Sequence, residues 1–339
     1  MTTQISKRHV MANPDYVAQR VRRVFGDSAV LPLGGIQYAL CEVGPRRFDP
    51  VVLADRIQRL VESAALERVA DGAYALSDAA PNDVQRSLKA LPHVNALLEH
   101  ACGSSLEILR RVTETVANAG RVPNPFPSDL DDPSVMRTEG SAGSQVIWLS
   151  HQIRWIDPTD CRFWAFLSFA ERERAQPIII ARKAATTAFS LCKQLGAKTL
   201  QYHHLITDAA LSLSESSLLR EFRLPRLITP IELQGHALWQ FMDIRPASPH
   251  PNALDALHRA VDSGFHEHPP SGPDLIAWAE ASGLQLPELW SYTVRRWNEL
   301  APDSDEGRSV QQKRRVKTPP RESNTFGRST EVIRIPIRI

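Results

Sequence analysis

Apolar residues recur at helical spacing in the first third of the chain. Between residues 53 and 64 this spacing follows Asp49 and Pro50, which favour a helix start. Residues 67–69 and 73–76 are then two short strand-like runs that flank Asp71-Gly72, a pair that favours a hairpin turn. Helix followed by hairpin is therefore predicted. Further helices are predicted for residues 15–25, 36–43, 84–98 and 106–119.

The pattern changes in the middle of the chain, where β-branched and aromatic residues dominate. Residues 145–156 and 161–169 flank a turn-forming stretch and together predict a hairpin. Residues 177–181 are a continuous apolar run, typical of a strand in the middle of a sheet. A helix over 184–195 and a strand over 198–206 follow. A crossover of this kind places the last two strands parallel.

The last third is predicted to be helical, with a polar tail. Helices are expected over residues 253–264, 274–283 and 287–300. Residues 301–330 are rich in charge and poor in apolar residues, so a disordered basic linker is predicted. Apolar and basic residues alternate over 331–339, which predicts a strand that docks on a sheet edge of this chain or of a partner. The partner-binding candidates are Val332, Ile333, Ile335 and Ile337.

Clusters of proline and glycine suggest how the chain divides. They predict an N-terminal helical part over 1–120, a linker over 121–144, a central part over 145–243 and a helical part over 253–300. The expected fold class is mixed α+β. It combines an N-terminal helical part, a small central mixed sheet with a crossover helix, a C-terminal helical part and the basic tail.

Composition narrows the class of protein. A chain of 339 residues with 42% hydrophobic and 23% charged residues is not wholly disordered. Its net charge of +2 is too small to mark a general polyanion binder, so any nucleic-acid site must be local. No apolar run approaches ~18 residues, and residues 1–15 lack the apolar stretch of a secretory signal, so a cytoplasmic location without membrane contact is expected. The sequence has no glycine-rich phosphate-binding loop of the Gly-x-x-x-x-Gly-Lys type, so no nucleotide cofactor is expected.

One segment resembles a known DNA-binding family. Residues 51–77, VVLADRIQRLVESAALERVADGAYALS, resemble the end of a winged-helix domain, where a recognition helix leads into a two-stranded wing. The resemblance implies that Arg46, Arg47, Arg56 and Arg59 are exposed and face DNA, at base edges or phosphates. The alternative is a helix that serves structure or binds a protein partner.

The central part resembles a second family. Its order of elements is similar to the core of restriction-endonuclease-like proteins, whose active members hold a divalent metal with an aspartate and a Glu-x-Lys sequence. The corresponding stretch here, LSFAERERA, has Glu171 and Glu173 but no lysine. Asp157 or Asp160 would supply the first carboxylate, and Arg172 or Lys183 would replace the lysine; the site candidates are Asp160, Glu171, Glu173 and Lys183. The resemblance implies bound Mg²⁺ if the chain cleaves DNA; the expectation is a non-cleaving form without a metal or other cofactor.

The tail carries the densest positive charge in the sequence. Lys313, Arg314, Arg315 and Lys317 lie in a stretch without acidic residues, and such a stretch releases counterions from nucleic-acid phosphates. The sequence therefore predicts a DNA-associated protein, a non-catalytic accessory subunit of a larger DNA-processing assembly that contains other protein subunits. A metal-dependent nuclease and an interaction subunit without nucleic-acid contact are the two alternatives.

Overall fold

The computed structural model describes residues 14–43, 48–117, 134–140, 143–202, 204–208, 210–229, 241–243, 249–299 and 331–333. These residues form the mixed α+β fold that the sequence predicts. The helices are α1 (Pro14–Phe25), α2 (Leu33–Gln37, continued as a π-helical turn over Tyr38–Glu42), α3 (Pro50–Glu62), α4 (Pro81–Ala117), α5 (Cys161–Arg172), α6 (Thr186–Gln194), α7 (Leu213–Glu221), α8 (Ala253–Asp262), α9 (Gly272–Ser282) and α10 (Glu288–Glu299). The strands are β1 (Val30–Pro32), β2 (Leu66–Ala70), β3 (Ala73–Leu76), β4 (Val135–Gly140), β5 (Gly143–Ser150), β6 (Gln176–Ala181), β7 (Lys198–Gln201), β8 (Phe241–Asp243) and β9 (Glu331–Ile333).

The predicted helix and hairpin of the N-terminal part are confirmed. The Asp49 carboxylate accepts the Val51 N–H at 3.0 Å and caps α3, and Pro50 stands at its first position. The chain then enters the antiparallel hairpin of β2 and β3, where Gly72 takes a φ of +63° that favours glycine. Strand β1 adds to the hairpin, which gives the sheet order β1-β3-β2.

The central sheet has the order β4-β5-β6-β7. Strand β4 pairs antiparallel with β5, whereas β5, β6 and β7 are mutually parallel. The predicted parallel pairing of the last two strands is confirmed. Strand β4 lies in the stretch 121–144, which the sequence predicts to be a linker. The strand was not predicted because its residues, VMRTEG, show no strong strand pattern.

The predicted hairpin partner over residues 161–169 is wrong, since these residues form helix α5. Asp160 caps the helix by accepting the Arg162 N–H at 3.1 Å. Phe163, Phe166, Leu167 and Ala170 are buried at the i, i+3, i+4 and i+7 spacing of a helical face. The aromatic content of the segment favours a strand, but the spacing of its buried residues and its N-cap favour a helix.

Two helices predicted over 84–98 and 106–119 are one helix of 37 residues, α4. Gly103-Ser104-Ser105 suggests a break, yet the helix continues through it. Ser105 is fully buried and its hydroxyl receives the Ile206 N–H at 2.8 Å. This hydrogen bond links α4 to the segment that follows β7. At 1.5 Å per residue α4 is about 55 Å long and contacts both sheets.

The two faces of the central sheet bury different partners. Val146, Trp148 and Ile179 face a core shared with α5, α6 and the C-terminal helices. Their neighbours Ile147 and Ile178 face Leu109 of α4. The first core also contains Val17, Leu53 and Trp290, so it unites the N-terminal, central and C-terminal parts. The predicted C-terminal helices are confirmed as α8, α9 and α10.

None of the helices in the described part of the chain combines the length and the apolar character needed to span a bilayer.

Candidate nucleic-acid interface

Helix α3, the candidate recognition helix, is enclosed at its beginning. Val51, Val52 and Leu53 are three consecutive buried residues, so more than one side of the helix is covered there. Helices α9 and α10 contact α3, in addition to α1 and β2. A groove-reading helix presents its N-terminal residues to base edges. In this structure the first turn of α3 is buried against the protein and is not available to base edges.

The cap of α3 lies in a buried acidic cluster. Burial raises the pKa of Asp49 to about 7, and the charge of Asp157 adds to the rise, although the Val51 N–H opposes it. Burial also raises the pKa of Asp157, which accepts the Thr159 N–H at 2.9 Å. Trp290 of α10 lies beside Asp49. The cluster therefore joins the start of α3 to the segment before α5 and to the C-terminal helices.

Of the arginines predicted to face DNA, two lie outside the described residues and two lie on α3. Arg46 and Arg47 lie outside the described residues, as do Lys313, Arg314, Arg315 and Lys317 of the tail. The expectation that Arg56 and Arg59 are exposed is wrong, because both are partly buried. The Arg59 side chain is 16% exposed and its Nε lies 3.0 Å from Asp55, one helical turn earlier. Arg59 is held against its helix by the Asp55 carboxylate, and neighbouring elements cover part of α3, so these arginines are less exposed than predicted.

The hairpin is not a basic wing. Arg68 forms an ion pair with Asp71 of the turn, and Glu67 is exposed on the neighbouring position. The hairpin therefore carries two acidic residues, Glu67 and Asp71, against one basic residue, Arg68. A wing that contacts the DNA backbone carries unpaired cations, so this hairpin adds little attraction for phosphate.

The residues predicted for a nuclease site do not converge. Asp160 caps the start of α5, and Glu171 lies at its other end, about 16 Å away at 1.5 Å per residue. Glu173 follows α5 and pairs with Arg137 at 2.9 Å, whereas Glu171 faces His258 at 3.5 Å. On a strand, Glu171 and Glu173 would share one face because they are two residues apart, but the segment is helical up to Arg172 and the two carboxylates meet different partners.

Lys183, the predicted cation, lies two residues after the end of β6, and its charge lowers the pKa of Glu42. It thus acts on a different carboxylate from those predicted. Within the ranges that the structure describes, no three His, Cys, Asp or Glu side chains are grouped to hold a metal ion.

A buried ion pair that sequence reasoning missed lies at the carboxyl end of β6. Arg182 is 1% exposed and donates from Nη1 to Glu42 Oε2 at 2.9 Å and from Nη2 to the Ile153 carbonyl at 2.6 Å. Trp155 Nε1 donates to Glu42 Oε1 at 2.9 Å. Burial alone would raise the pKa of Glu42, but the bonds from Arg182 and Trp155 outweigh it and lower the pKa.

The pair of Glu42 and Arg182 lies at the edge of the central sheet where the parallel strands end. Open parallel sheets bind ligands at the carboxyl ends of their strands. Here that edge receives Glu42 from the N-terminal part, which neutralises Arg182. A charged residue directly after the apolar run PIIIA is the sequence signal that marks this edge. Its partner carries no comparable signal, because it lies 140 residues away.

The terminal strand docks on the chain itself. Strand β9 pairs antiparallel with β8, with Val332 opposite Met242 and Ile333 opposite Phe241. Ile335 and Ile337 lie outside the described residues. The predicted strand therefore exists over residues 331–333, and its described backbone partner is intramolecular.

Comparisons with protein-family models, with curated proteins and with solved structures found no match to this chain.

Proposed function

We propose that the protein is a DNA-associated, non-catalytic accessory subunit of a larger assembly. The observation that carries the proposal is the arrangement of the N-terminal part, in which α2 is followed by α3 and then directly by the β2-β3 hairpin. Two successive helices followed by a hairpin are what the winged-helix resemblance implies. Helix-turn-helix modules use such a pair to bind DNA.

The mode of contact follows from the covered start of α3. With Val51, Val52 and Leu53 buried, the helix does not offer its first turn to base edges. Phosphate contacts need no such access, and they supply affinity without sequence information. The proposed association is therefore directed at the DNA backbone and does not depend on sequence. The basic tail is proposed to contribute through Lys313, Arg314, Arg315 and Lys317.

A mobility-shift titration of the full chain on a duplex tests the proposal. Between about 50 mM and about 200 mM salt the affinity is expected to fall steeply, because each phosphate contact adds about −0.9 to the logarithmic salt slope. Changing the four tail residues to alanine is expected to lower that slope while the protein stays folded. The absence of any shift on duplex or single strands at low salt would overturn the proposal.

The non-catalytic part of the proposal has a separate test. Asp160 and Glu171 lie at opposite ends of α5, and an ion with two carboxylate ligands needs them within a few Å of each other. Supercoiled and linear DNA incubated with the protein and Mg²⁺ or Mn²⁺ is expected to stay intact. Cleavage that disappears in Glu171→Ala or Glu173→Ala would establish the nuclease alternative.

The second candidate function is an interaction subunit without nucleic-acid contact. It is favoured by α10, where Leu289 and Tyr292 are 37% and 46% exposed on neighbouring turns of one helix face. If the full chain does not shift DNA, this candidate replaces the first. Leu289→Ser with Tyr292→Ser would then be expected to release a co-purifying protein partner, and an unchanged complex would contradict it.

A further inference from the structure

Two helix ends that are far apart in the sequence meet on the surface. Arg223, just after α7, donates from Nε to the Val24 carbonyl in the last turn of α1 at 3.1 Å. The Ser28 hydroxyl donates to the Glu221 carbonyl at 2.7 Å. These two bonds, between residues more than 190 positions apart, hold the ends of α1 and α7 side by side.

Arginine dominates the surface where the helices meet. We call the exposed residues Arg22, Arg23, Arg220 and Arg223 the arginine surface. None of the four forms an ion pair with another residue in the part of the chain that the structure describes. The same two helix ends also contain the exposed acids Asp27 and Glu221, so residues 22–28 and 220–223 together carry four basic residues against two acidic ones.

Helix stability explains only part of this arrangement. Cations in the last turn of a helix interact favourably with its dipole, and Arg22, Arg23 and Arg220 occupy such turns. That explanation applies to each helix alone. It does not require the two ends to share one surface, nor the guanidinium groups to lack carboxylate partners.

We infer that the arginine surface binds the phosphate backbone of DNA. The inference rests on the proposed function and names the surface that serves it. Guanidinium groups bind phosphate oxygens through two parallel N–H donors, which suits a site built from arginine. Because the first turn of α3 is covered, the backbone contact falls to the surface formed by the ends of α1 and α7.

The test variant is Arg22→Gln, Arg23→Gln and Arg220→Gln. Arg223 is kept because its Nε holds the end of α1. The matched control, Arg68→Gln, Arg86→Gln and Arg259→Gln, removes the same charge from exposed positions on three separate elements. If all three arginines contact phosphate, the loss of affinity between about 50 mM and about 200 mM salt shrinks by about 40-fold in the test variant. The control is expected to behave as the wild type.

The outcomes of this experiment distinguish a failure of the proposed function from a failure of the inference about the arginine surface. No binding by the wild type overturns the proposed function, and this inference with it. Binding by the wild type with equal salt slopes in the two triple variants overturns the inference alone. A third variant with lysine at residues 22, 23 and 220 guards against a folding defect, since it keeps the charge. It must retain the wild-type salt slope, and a slope reduced as far as in the glutamine variant would contradict an electrostatic site.

Discussion

At the residue scale, the ion pair of Glu42 and Arg182 links the N-terminal part to the central sheet. Both side chains are largely removed from water, with 10% and 1% exposure. Removing charges from water is costly, and only close geometry with further hydrogen bonds compensates. Here Trp155 and the Ile153 carbonyl supply those bonds. The pair therefore fixes how Tyr38–Glu42 sits against the end of β6.

Arg182→Met is expected to destabilise the protein by about 3–5 kcal/mol, because it leaves the Glu42 carboxylate buried without its partner. The double variant Glu42→Gln with Arg182→Met is expected to recover a large part of this loss. Urea unfolding of the wild type, both single variants and the double variant measures the coupling. A double variant as unstable as Arg182→Met would show that the buried charge is not the cause.

Asp49 gives the folded protein a pH dependence of known sign. Its pKa rises from 3.8 to about 7 on folding, so between these values the folded state holds a proton that the unfolded chain has released. Stability therefore falls as pH rises through this window, by about 1.4 kcal/mol per pH unit, and levels off above it. Asp157, whose pKa is also raised, acts in the same direction.

Asp49→Asn is expected to flatten this dependence while it keeps a residue that caps helices well. Urea unfolding from about pH 5 to about pH 8 measures it. Asp160→Asn makes the same change at the cap of α5 and is the control for a general N-cap effect. A variant that loses stability with pH as steeply as the wild type would contradict the assignment to Asp49.

At the element scale, two glycines in helices have opposite surroundings. A Cβ added at Gly103 of α4 meets nothing within 4 Å, whereas one added at Gly35 of α2 collides with the Phe222 carbonyl. Gly103→Ala is therefore expected to stabilise the protein by about 1 kcal/mol through helix propensity. Gly35→Ala is expected to destabilise it by about 1–3 kcal/mol. Thermal unfolding of both variants checks the order, and equal midpoints would contradict it.

Elements with a strong local signal were predictable from the sequence. Helix α3 has an N-cap, a proline start and helical spacing, and the hairpin has Asp71-Gly72 at its turn. Helix α5 was not predicted, because its aromatic residues favour a strand while its cap and buried spacing favour a helix. Strand β4 is defined by its pairing with β5, and its own residues give no strand pattern from which that pairing could be predicted.

At the scale of the whole molecule, one core unites parts that the sequence divides. Leu53 of α3, Trp148 of β5 and Trp278 of α9 belong to it. This shared core covers the beginning of the candidate recognition helix, which local sequence cannot indicate. The Glu42-Arg182 pair and the arginine surface are likewise assembled from distant segments. Sequence reasoning identifies residue types suited to such sites, but only the fold brings the partners together.

The function proposed for the whole molecule is an association with the DNA backbone that does not depend on DNA sequence. Fluorescence anisotropy of the full chain, titrated against two labelled duplexes of equal length and unrelated sequence over a salt series, tests it most directly. We predict equal affinities for both duplexes at each salt concentration and a steep, parallel decline as salt rises. No binding at the lowest salt, or an affinity for one duplex that exceeds the other by tenfold or more, would contradict the claim.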